Sequence, residues 1–292
     1  MRSDPVDFAL RAPGTLELVL SMLASEPGTW LPISGGTDVM VQYAAGKLSS
    51  RQLVSIWTLA ELRGIEVLPD EIRIGAGCTY TELREHEVIS REFPLLARAA
   101  RWTGGVANQN RGTLGGNIAN ASPGADSLPA LLAYEAELVL VSVRGERRIS
   151  YVGFHTGYKK MRMELDELIR VVSLPRRFSG YFQYSRKVGA RNAQAISKVC
   201  LAALGRIRDG FMEDVRISLG SVAPVPIRLT DIEQILKGRR IEPALVDLAK
   251  MKVATAIRPI DDIRSNARYR AAVAANLVAE FLTQLVNSGT LA

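Results

Sequence analysis

Apolar positions recur at helix or strand spacing along most of this chain, and the departures from that rule are informative. Leu16, Val19, Leu20 and Leu23 fall on one helix face, with Thr15 ahead of them as a cap. Trp30–Ile33 predicts a short strand, and residues 39–43 predict a helix stopped by Gly46. Strands are predicted at residues 53–56 and 72–75, separated by a Pro69-Asp70 turn. Thr79-Tyr80-Thr81-Glu82 has the form of a capping box. Pro94 opens a helix with Leu95, Leu96, Ala99 and Trp102 along one stripe, expected to run straight into the segment that follows. Pro129 is expected to start a buried helix. Residues 138–143, apolar on both faces, predict an interior strand that Arg144-Gly145 turns back toward Ile149.

The pattern changes near Pro175. Residues 167–174 predict a strand ending in Pro175-Arg176-Arg177-Phe178-Ser179-Gly180, which reads as a linker. Beyond it, residues 181–187, 196–204 and 215–219 predict successive strands, with a hairpin turn at Asp209-Gly210, and hence an antiparallel meander. Helices follow. Thr230-Asp231-Ile232-Glu233 reads as a second capping box, and Tyr269, Val273, Leu277, Phe281 and Leu285 line the core face of the last helix. The plan is an α+β domain over residues 1–176, with subdomains at about 1–58 and 59–176, then a smaller sheet-plus-helices domain over 181–289.

Residues 111–128 fit neither period. Four glycines stand there among small and hydrogen-bonding side chains, so neither an amphipathic helix nor an alternating strand is expected. Glycines let the main chain approach a ligand closely, and successive inward N–H groups form a nest for anions such as phosphate. Thr113, Asn117, Asn120 and Ser122 add hydrogen-bonding groups, and Asp126 is placed to accept from a ribose hydroxyl. A second loop of this kind lies upstream, at Ile33-Ser34-Gly35-Gly36-Thr37-Asp38. Alone, a Gly-Gly-Thr-Asp turn is more often only a turn. Two glycine loops together suit a long phosphate-bearing ligand such as a dinucleotide. Gly75-Ala76-Gly77-Cys78 is not a Rossmann fingerprint, because Tyr80 replaces the third glycine and the strand-helix-strand context is missing.

Composition narrows the chemistry. Of 292 residues, 47% are hydrophobic and 23% charged, as in a globular protein with ample core. The net charge of +7 comes from scattered basic residues rather than a nucleic-acid-binding tail, so no nucleic-acid partner is expected. Two distant cysteines, Cys78 and Cys200, cannot supply a disulfide framework, a zinc site or an iron–sulfur cluster, and read as buried thiols in a reducing cytoplasm. With two histidines there is no metal set, and little material for a triad; His86 reads as solvated and His155 as structural. Charges at Arg2, Asp4, Asp7 and Arg11 argue against a signal peptide, and no apolar run is long enough to span a membrane. Lys187 has two readings of equal weight: a solvated lysine at a strand end, or an ammonium stabilising negative charge on a reduced flavin's N1–C2=O edge.

Three ordered motifs carry a family resemblance. They are Leu31-Pro32-Ile33-Ser34-Gly35-Gly36-Thr37-Asp38-Val39, Ile74-Gly75-Ala76-Gly77-Cys78-Thr79, and Arg111-Gly112-Thr113-Leu114-Gly115-Gly116-Asn117-Ile118-Ala119-Asn120-Ala121-Ser122-Pro123. They resemble the FAD-binding medium subunit of molybdenum hydroxylases, the flavoprotein of the xanthine dehydrogenase and carbon monoxide dehydrogenase type. Gly157-Tyr158-Lys159-Lys160 and residues 167–175 match the end of its flavin domain. Ile257-Arg258-Pro259-Ile260-Asp261-Asp262-Ile263-Arg264-Ser265 is similar to a signature in its C-terminal domain. Residues 104–110 depart from the family's usual Gln-Ile-Arg-Asn wording. Thr37-Asp38 stands where the carbon monoxide enzymes tend to carry a histidine, which favours the xanthine-dehydrogenase-like branch.

The resemblance implies an α+β chain: a two-subdomain FAD-binding fold of the vanillyl-alcohol-oxidase type followed by a small C-terminal α+β domain. It implies that residues 33–39 hold the FAD pyrophosphate, that Thr113, Leu114, Gly115, Gly116 and Asn117 hold it from the other side, and that Ser122 belongs to the same site. Asp126 would bond the ribityl or ribose region, Ile169 would lie against the isoalloxazine, and Lys187 would sit at its pyrimidine edge. No residue of the chain need act as acid or base. The family role is electron transfer in a cytoplasmic heterotrimeric oxidoreductase. A small subunit carries two [2Fe–2S] clusters, a large subunit carries molybdopterin, and FAD passes electrons to NAD or another acceptor. The rival readings are a free-standing FAD reductase of the same fold and a non-enzymatic nucleotide-binding module.

Overall fold

The computed structural model describes residues 7–191 and 194–289, so the predicted charges at Arg2 and Asp4 lie outside the described residues. The first elements are β1 (Ala9–Arg11), α1 (Leu16–Ser25), β2 (Trp30–Ile33), α2 (Val39–Ala44) and β3 (Gln52–Ser55). The strands form a parallel sheet in the order β1-β3-β2, and helices carry the chain across between strands, as parallel pairing requires. Thr15 caps α1 by accepting the Leu18 amide at 3.3 Å, and Leu16, Val19, Leu20 and Leu23 are its buried face.

The chain then builds an antiparallel sheet and the helices that cover it. In order come β4 (Ile65–Val67), β5 (Glu71–Gly75), α3 (Tyr80–Glu85), α4 (Glu87–Glu92), α5 (Pro94–Trp102), α6 (Val106–Gln109), α7 (Leu114–Asn120) and α8 (Ser127–Ala133). After them run β6 (Glu137–Ser142), β7 (Gly145–Ser150), β8 (His155–Gly157), β9 (Lys160–Met161) and β10 (Leu168–Pro175). The sheet order is β4-β5-β10-β6-β7. Its inner face, with Ile72, Ile74, Leu138, Leu140, Val172 and Leu174, packs on Leu83, Leu96, Leu128 and Leu131 of the helices. The Thr79 capping box is formed in full at the start of α3.

The third unit is a meander of β11 (Phe182–Val188), β12 (Val199–Arg208), β13 (Phe211–Gly220) and β14 (Ile227–Arg228). Asp209 and Gly210, at φ of 53° and 80°, make its tight turn. Packed on the meander are α9 (Thr230–Leu236), α10 (Pro243–Ala256) and α11 (Ala267–Gly289). The strand β12 is buried on both faces: Leu201 and Ala203 face the C-terminal helices, while Ala202 and Leu204 join the core beneath α8. This second contact joins the two halves of the chain. The architecture is α+β, as expected.

Local readings fail where distant contacts intervene. Residues 111–128 were expected to lack regular structure, yet α7 lies inside them. Thr113 caps it by accepting the Gly116 amide at 3.2 Å, Leu114 and Ile118 make one buried face, and Ala121 ends it in the left-handed conformation at φ 48°. Burial of that face offsets the cost of two helical glycines, about 1 kcal/mol each. The helix α8 starts at Ser127 rather than Pro129, and α6 interrupts the predicted run out of α5. Thr230 is not a cap, because the Glu233 carboxylate instead takes the Ile217 amide at 2.8 Å and the Arg228 guanidinium. The expected linker after Pro175 is a single short turn with Phe178 buried, and Tyr269 on the last helix's stripe is exposed.

Candidate functional site

The two glycine segments come from different sheets and meet. The first leaves β2 at Ile33, whose carbonyl is tied to β3 by the Ile56 amide at 2.9 Å, and turns through Ser34 to Asp38 into α2. The second is laid along residues 76–80. The Tyr80 amide donates to Gly112, while the amides of Leu114 and Gly115 donate to Cys78 and Ala76, at 2.8–3.1 Å. Three hydrogen bonds cross between the segments: Arg111 Nε to the Gly35 carbonyl at 3.3 Å, the Thr113 hydroxyl to Ser34 Oγ at 3.3 Å, and Asn120 Nδ2 to Asp38 Oδ1 at 3.2 Å.

Glycine is required at two of these positions. A Cβ on Gly35 would lie 1.5 Å from the Arg111 carbonyl oxygen, and one on Gly115 would lie 2.5 Å from the Ala76 Cβ. The segments therefore touch backbone to backbone. Gly36, at φ 78°, then turns the first loop back. Among the described residues, the amides of Gly35, Gly36, Thr37 and Asp38 donate no hydrogen bond to the protein. Successive free amides in a turn that contains a left-handed residue make a concave anion nest. Gly116 faces outward on α7, whereas Leu114 and Gly115 point into the core. This cradle suits a diphosphate bridge: it offers backbone donors without side chains in the way.

Several groups that hold the cradle have no signal in the local sequence. Arg111 lies over the Trp57 ring at 3.8 Å, with Arg63 also over that ring at 4.2 Å. Lys159 donates to both the carbonyl and the side-chain oxygen of Asn120 at 2.5 Å. His155 is buried with Nε2 2.9 Å from the Ile118 carbonyl, and its ring lies edge-on to Tyr151 and Phe154. Burial pushes its pKa below the usual histidine value, against the pull of that carbonyl. His155 is structural, as expected. His86 caps α4 by accepting the Ile89 amide at 3.4 Å rather than standing free in solvent. Both cysteines are buried and free, and burial pushes the Cys78 thiol up to about 11, which disfavours the thiolate.

Beyond α7 the cradle reaches the C-terminal sheet. The Lys187 ammonium, on β11, bonds Asp126 at 2.6 Å and the Trp102 carbonyl at 2.9 Å, while Ser197 donates to the other Asp126 oxygen at 2.5 Å. The two side chains are only 9% and 7% exposed, so Lys187 is not a solvated strand-end lysine. Burial pushes the Asp126 carboxyl above its usual range, against the opposing pull of Lys187. Asp126 and Lys187 are thus each other's counter-ions. Of the remaining predicted residues, Leu31 and Pro32 lie in β2, and Val39 opens α2. Asn117 accepts from the Ser127 hydroxyl at 2.7 Å, and Ser122 accepts the Gly124 amide at 3.3 Å. Ile169 is buried in β10, beside the register shift with β6. Among the described residues no group of three or more potential ligands could hold a metal ion, and no helix is long and apolar enough to cross a membrane.

Comparison with known proteins agrees with this geometry. Residues 6–177 match the family model described as the FAD-binding domain in molybdopterin dehydrogenase, and residues 184–285 match the CO dehydrogenase flavoprotein C-terminal domain. The chain is 34% identical over 271 residues to the xanthine dehydrogenase FAD-binding subunit of Escherichia coli O157:H7, covering 90% of this chain and 91% of that one. It is 27% identical to the glyceraldehyde dehydrogenase medium chain of Sulfolobus acidocaldarius, over 91% and 94% of the two chains. It superposes with a TM-score of 0.90 on a chain of the carbon monoxide dehydrogenase from Hydrogenophaga pseudoflava, at 26% identity and covering 94% and 95%. Two abutting glycine segments, the first with open amides, joined to a meander domain through a buried ion pair, therefore belong to a member of the molybdopterin dehydrogenase FAD-binding family, an oxidoreductase flavoprotein subunit.

Proposed function

We propose that the chain is the electron-transferring FAD subunit of a multi-subunit molybdenum hydroxylase of the xanthine-dehydrogenase-like type. It takes electrons from [2Fe–2S] clusters on a small partner chain, while a large partner chain holds molybdopterin and hydroxylates the substrate. The final acceptor is NAD or another oxidant. The observation that carries the cofactor reading is the pair of abutting segments, Gly35 against Arg111, with the amides of residues 35–38 donating to no protein acceptor. The match to the Escherichia coli xanthine dehydrogenase subunit, together with Thr37-Asp38 in the first turn, supports that branch.

Bound FAD would supply electron exchange between one-electron donors and a two-electron acceptor. The chain's own contribution is binding and charge. The amides of residues 35–38 and the Ser34 and Thr113 hydroxyls would hold the diphosphate. Leu31, Pro32, Ile33 and Val39 shape the first turn's approach, and Leu114 and Gly115 fix α7 beneath it. Asn117, Ser122 and Asp126 would border the ribityl or ribose portion, with Ile169 against the ring. Lys187 would place its ammonium at the pyrimidine edge, where negative charge develops on reduction. Asp126 partly neutralises that ammonium, so the field at the ring depends on both residues. The test is flavin stoichiometry in the purified chain. One FAD per chain is expected, and Gly116→Val should be colourless, because its Cβ would lie 2.8 Å from the Thr113 hydroxyl and displace it from the place assigned to the diphosphate. Full flavin occupancy in that variant would overturn the assignment. Purification of the wild type with FAD but without iron or molybdenum would instead point to a free-standing reductase.

A further inference from the structure

Tyr80, which stands where a third glycine would follow Gly75 and Gly77, is buried beneath the second glycine segment. The Thr79 capping box fixes its place at the start of α3, and its amide donates to the Gly112 carbonyl at 3.1 Å. A Cβ on Gly112 would lie 3.4 Å from Cδ2 of the ring, so the ring packs against that stretch of backbone. A phenylalanine would fill the same space without a hydroxyl, whose burial costs free energy unless it is hydrogen-bonded. The Tyr80 hydroxyl meets Ser127 Oγ at 3.3 Å. Ser127, fully buried at the start of α8, donates in turn to Asn117 Oδ1 on α7 at 2.7 Å.

Proton counting gives this chain of bonds a direction. A serine hydroxyl carries one proton, and Ser127 commits it to Asn117. Tyr80 is therefore the donor to Ser127. Burial pushes the phenol's pKa up, so it keeps the proton it donates. The neighbouring Asp126 is held by Lys187 at 2.6 Å, which fixes the start of α8 and Ser127 with it. At the far end of the relay, Asn117 Oδ1 is occupied from below. Its Nδ2 donates to no acceptor among the described residues and is not sealed in the interior. Asn117 is half-buried and directly follows Gly116, which is exposed. A freely rotating carboxamide would offer either oxygen or nitrogen there, and this one offers nitrogen. Phosphate oxygens only accept, so a donor edge suits a diphosphate, whereas an outward Oδ1 would repel it.

We propose that Tyr80 and Ser127 are positioning residues for the cofactor: their relay pins the Asn117 carboxamide so that its N–H edge, and not its oxygen, faces the FAD diphosphate. The assignment rests on the cradle being the FAD site, as proposed above. The test is a double-mutant cycle on the full chain, prepared as apoprotein and titrated with FAD, with the melting temperature of each apoprotein alongside. Asn117→Ala and Ser127→Ala should each raise the FAD Kd roughly tenfold, the equivalent of one hydrogen bond. In the Asn117→Ala background, Ser127→Ala should add nothing to that rise, because Ser127 acts on the cofactor only through Asn117. Tyr80→Phe should raise the Kd about threefold and be silent in the same background, so it carries the test if Ser127→Ala folds poorly. Asn117→Asp keeps the bond to Ser127 but turns a carboxylate oxygen toward the diphosphate, and should weaken binding roughly a hundredfold. Equal rises in both backgrounds would reduce Ser127 and Tyr80 to structural roles and overturn the relay. Near-wild-type affinity in Asn117→Asp would overturn the orientation of the carboxamide. A wild type that binds no FAD would overturn the cofactor reading itself, and the relay with it.

Discussion

Gly35→Ala is the sharpest probe of the cradle, because it adds one methyl group where the two glycine segments touch. That carbon would lie 1.5 Å from the Arg111 carbonyl oxygen, about 2 Å inside ordinary van der Waals contact. Both atoms belong to the main chain or are fixed to it, so no rotamer change relieves the overlap, and the segments must part. Parting them breaks or stretches the three cross-segment hydrogen bonds, Arg111 to Gly35, Thr113 to Ser34 and Asn120 to Asp38. At about 0.5–1.5 kcal/mol each, their loss removes roughly 2–4 kcal/mol of preorganisation. FAD must restore that arrangement on binding, so its Kd should rise roughly 30- to 1000-fold. Overpacking also costs stability, on the order of 1–3 kcal/mol. The assay is titration of apoprotein with FAD, followed by visible absorbance and by thermal melting of each variant. Gly14→Ala is the control, since a Cβ there meets nothing within 4 Å, and it should bind FAD like the wild type. Wild-type affinity in Gly35→Ala would refute the claim that contact between the two turns forms the cofactor site.

Other expectations follow from the same geometry. Thr113→Ala removes the cap of α7 and the link to Ser34, costing about 1 kcal/mol of stability and weakening FAD binding, whereas Thr113→Ser should restore both; melting and FAD titration together check this. Burial holds the folded His155 pKa below its unfolded value of 6.5, so the unfolded chain binds more protons between the two pKa values. Its contribution to stability is therefore fully present above about pH 6.5 and is lost as the pH falls through the folded pKa. His155→Gln should flatten the melting-temperature slope in that window, and an unchanged slope would count against the assignment. Lys187→Met leaves Asp126 buried without its counter-ion and should cost about 3–5 kcal/mol, measured by denaturant unfolding. Adding Asp126→Asn should recover part of that loss, and purely additive effects would show that the pair is not coupled.

Much of this chain was readable from its sequence because the relevant physics is local. Thr15 and Thr79 announced their helices, since a cap and its amides lie within three residues of each other. Asp209-Gly210 announced its hairpin, because left-handed backbone selects such residues. Missing side chains at Gly35 and Gly36 marked amides with no protein acceptor, whereas Gly115 and Gly116, expected to bare theirs as well, give them to Ala76 and to the Thr113 hydroxyl. Local rules misled where burial overrode them. Leu114 and Ile118 carry α7 through a glycine-rich stretch because that helix packs beneath β10, and Glu233 leaves its expected cap for an amide on β13 and the Arg228 guanidinium. The tertiary structure alone brought Arg111 onto Trp57 and Lys187 onto Asp126, and linked Tyr80 through Ser127 to Asn117. Short-range spacing encodes the period of an element and the conformation of a turn. Which turns then meet, and which charges lose their water, depends on packing among residues far apart along the chain, and their spacing carries no record of it.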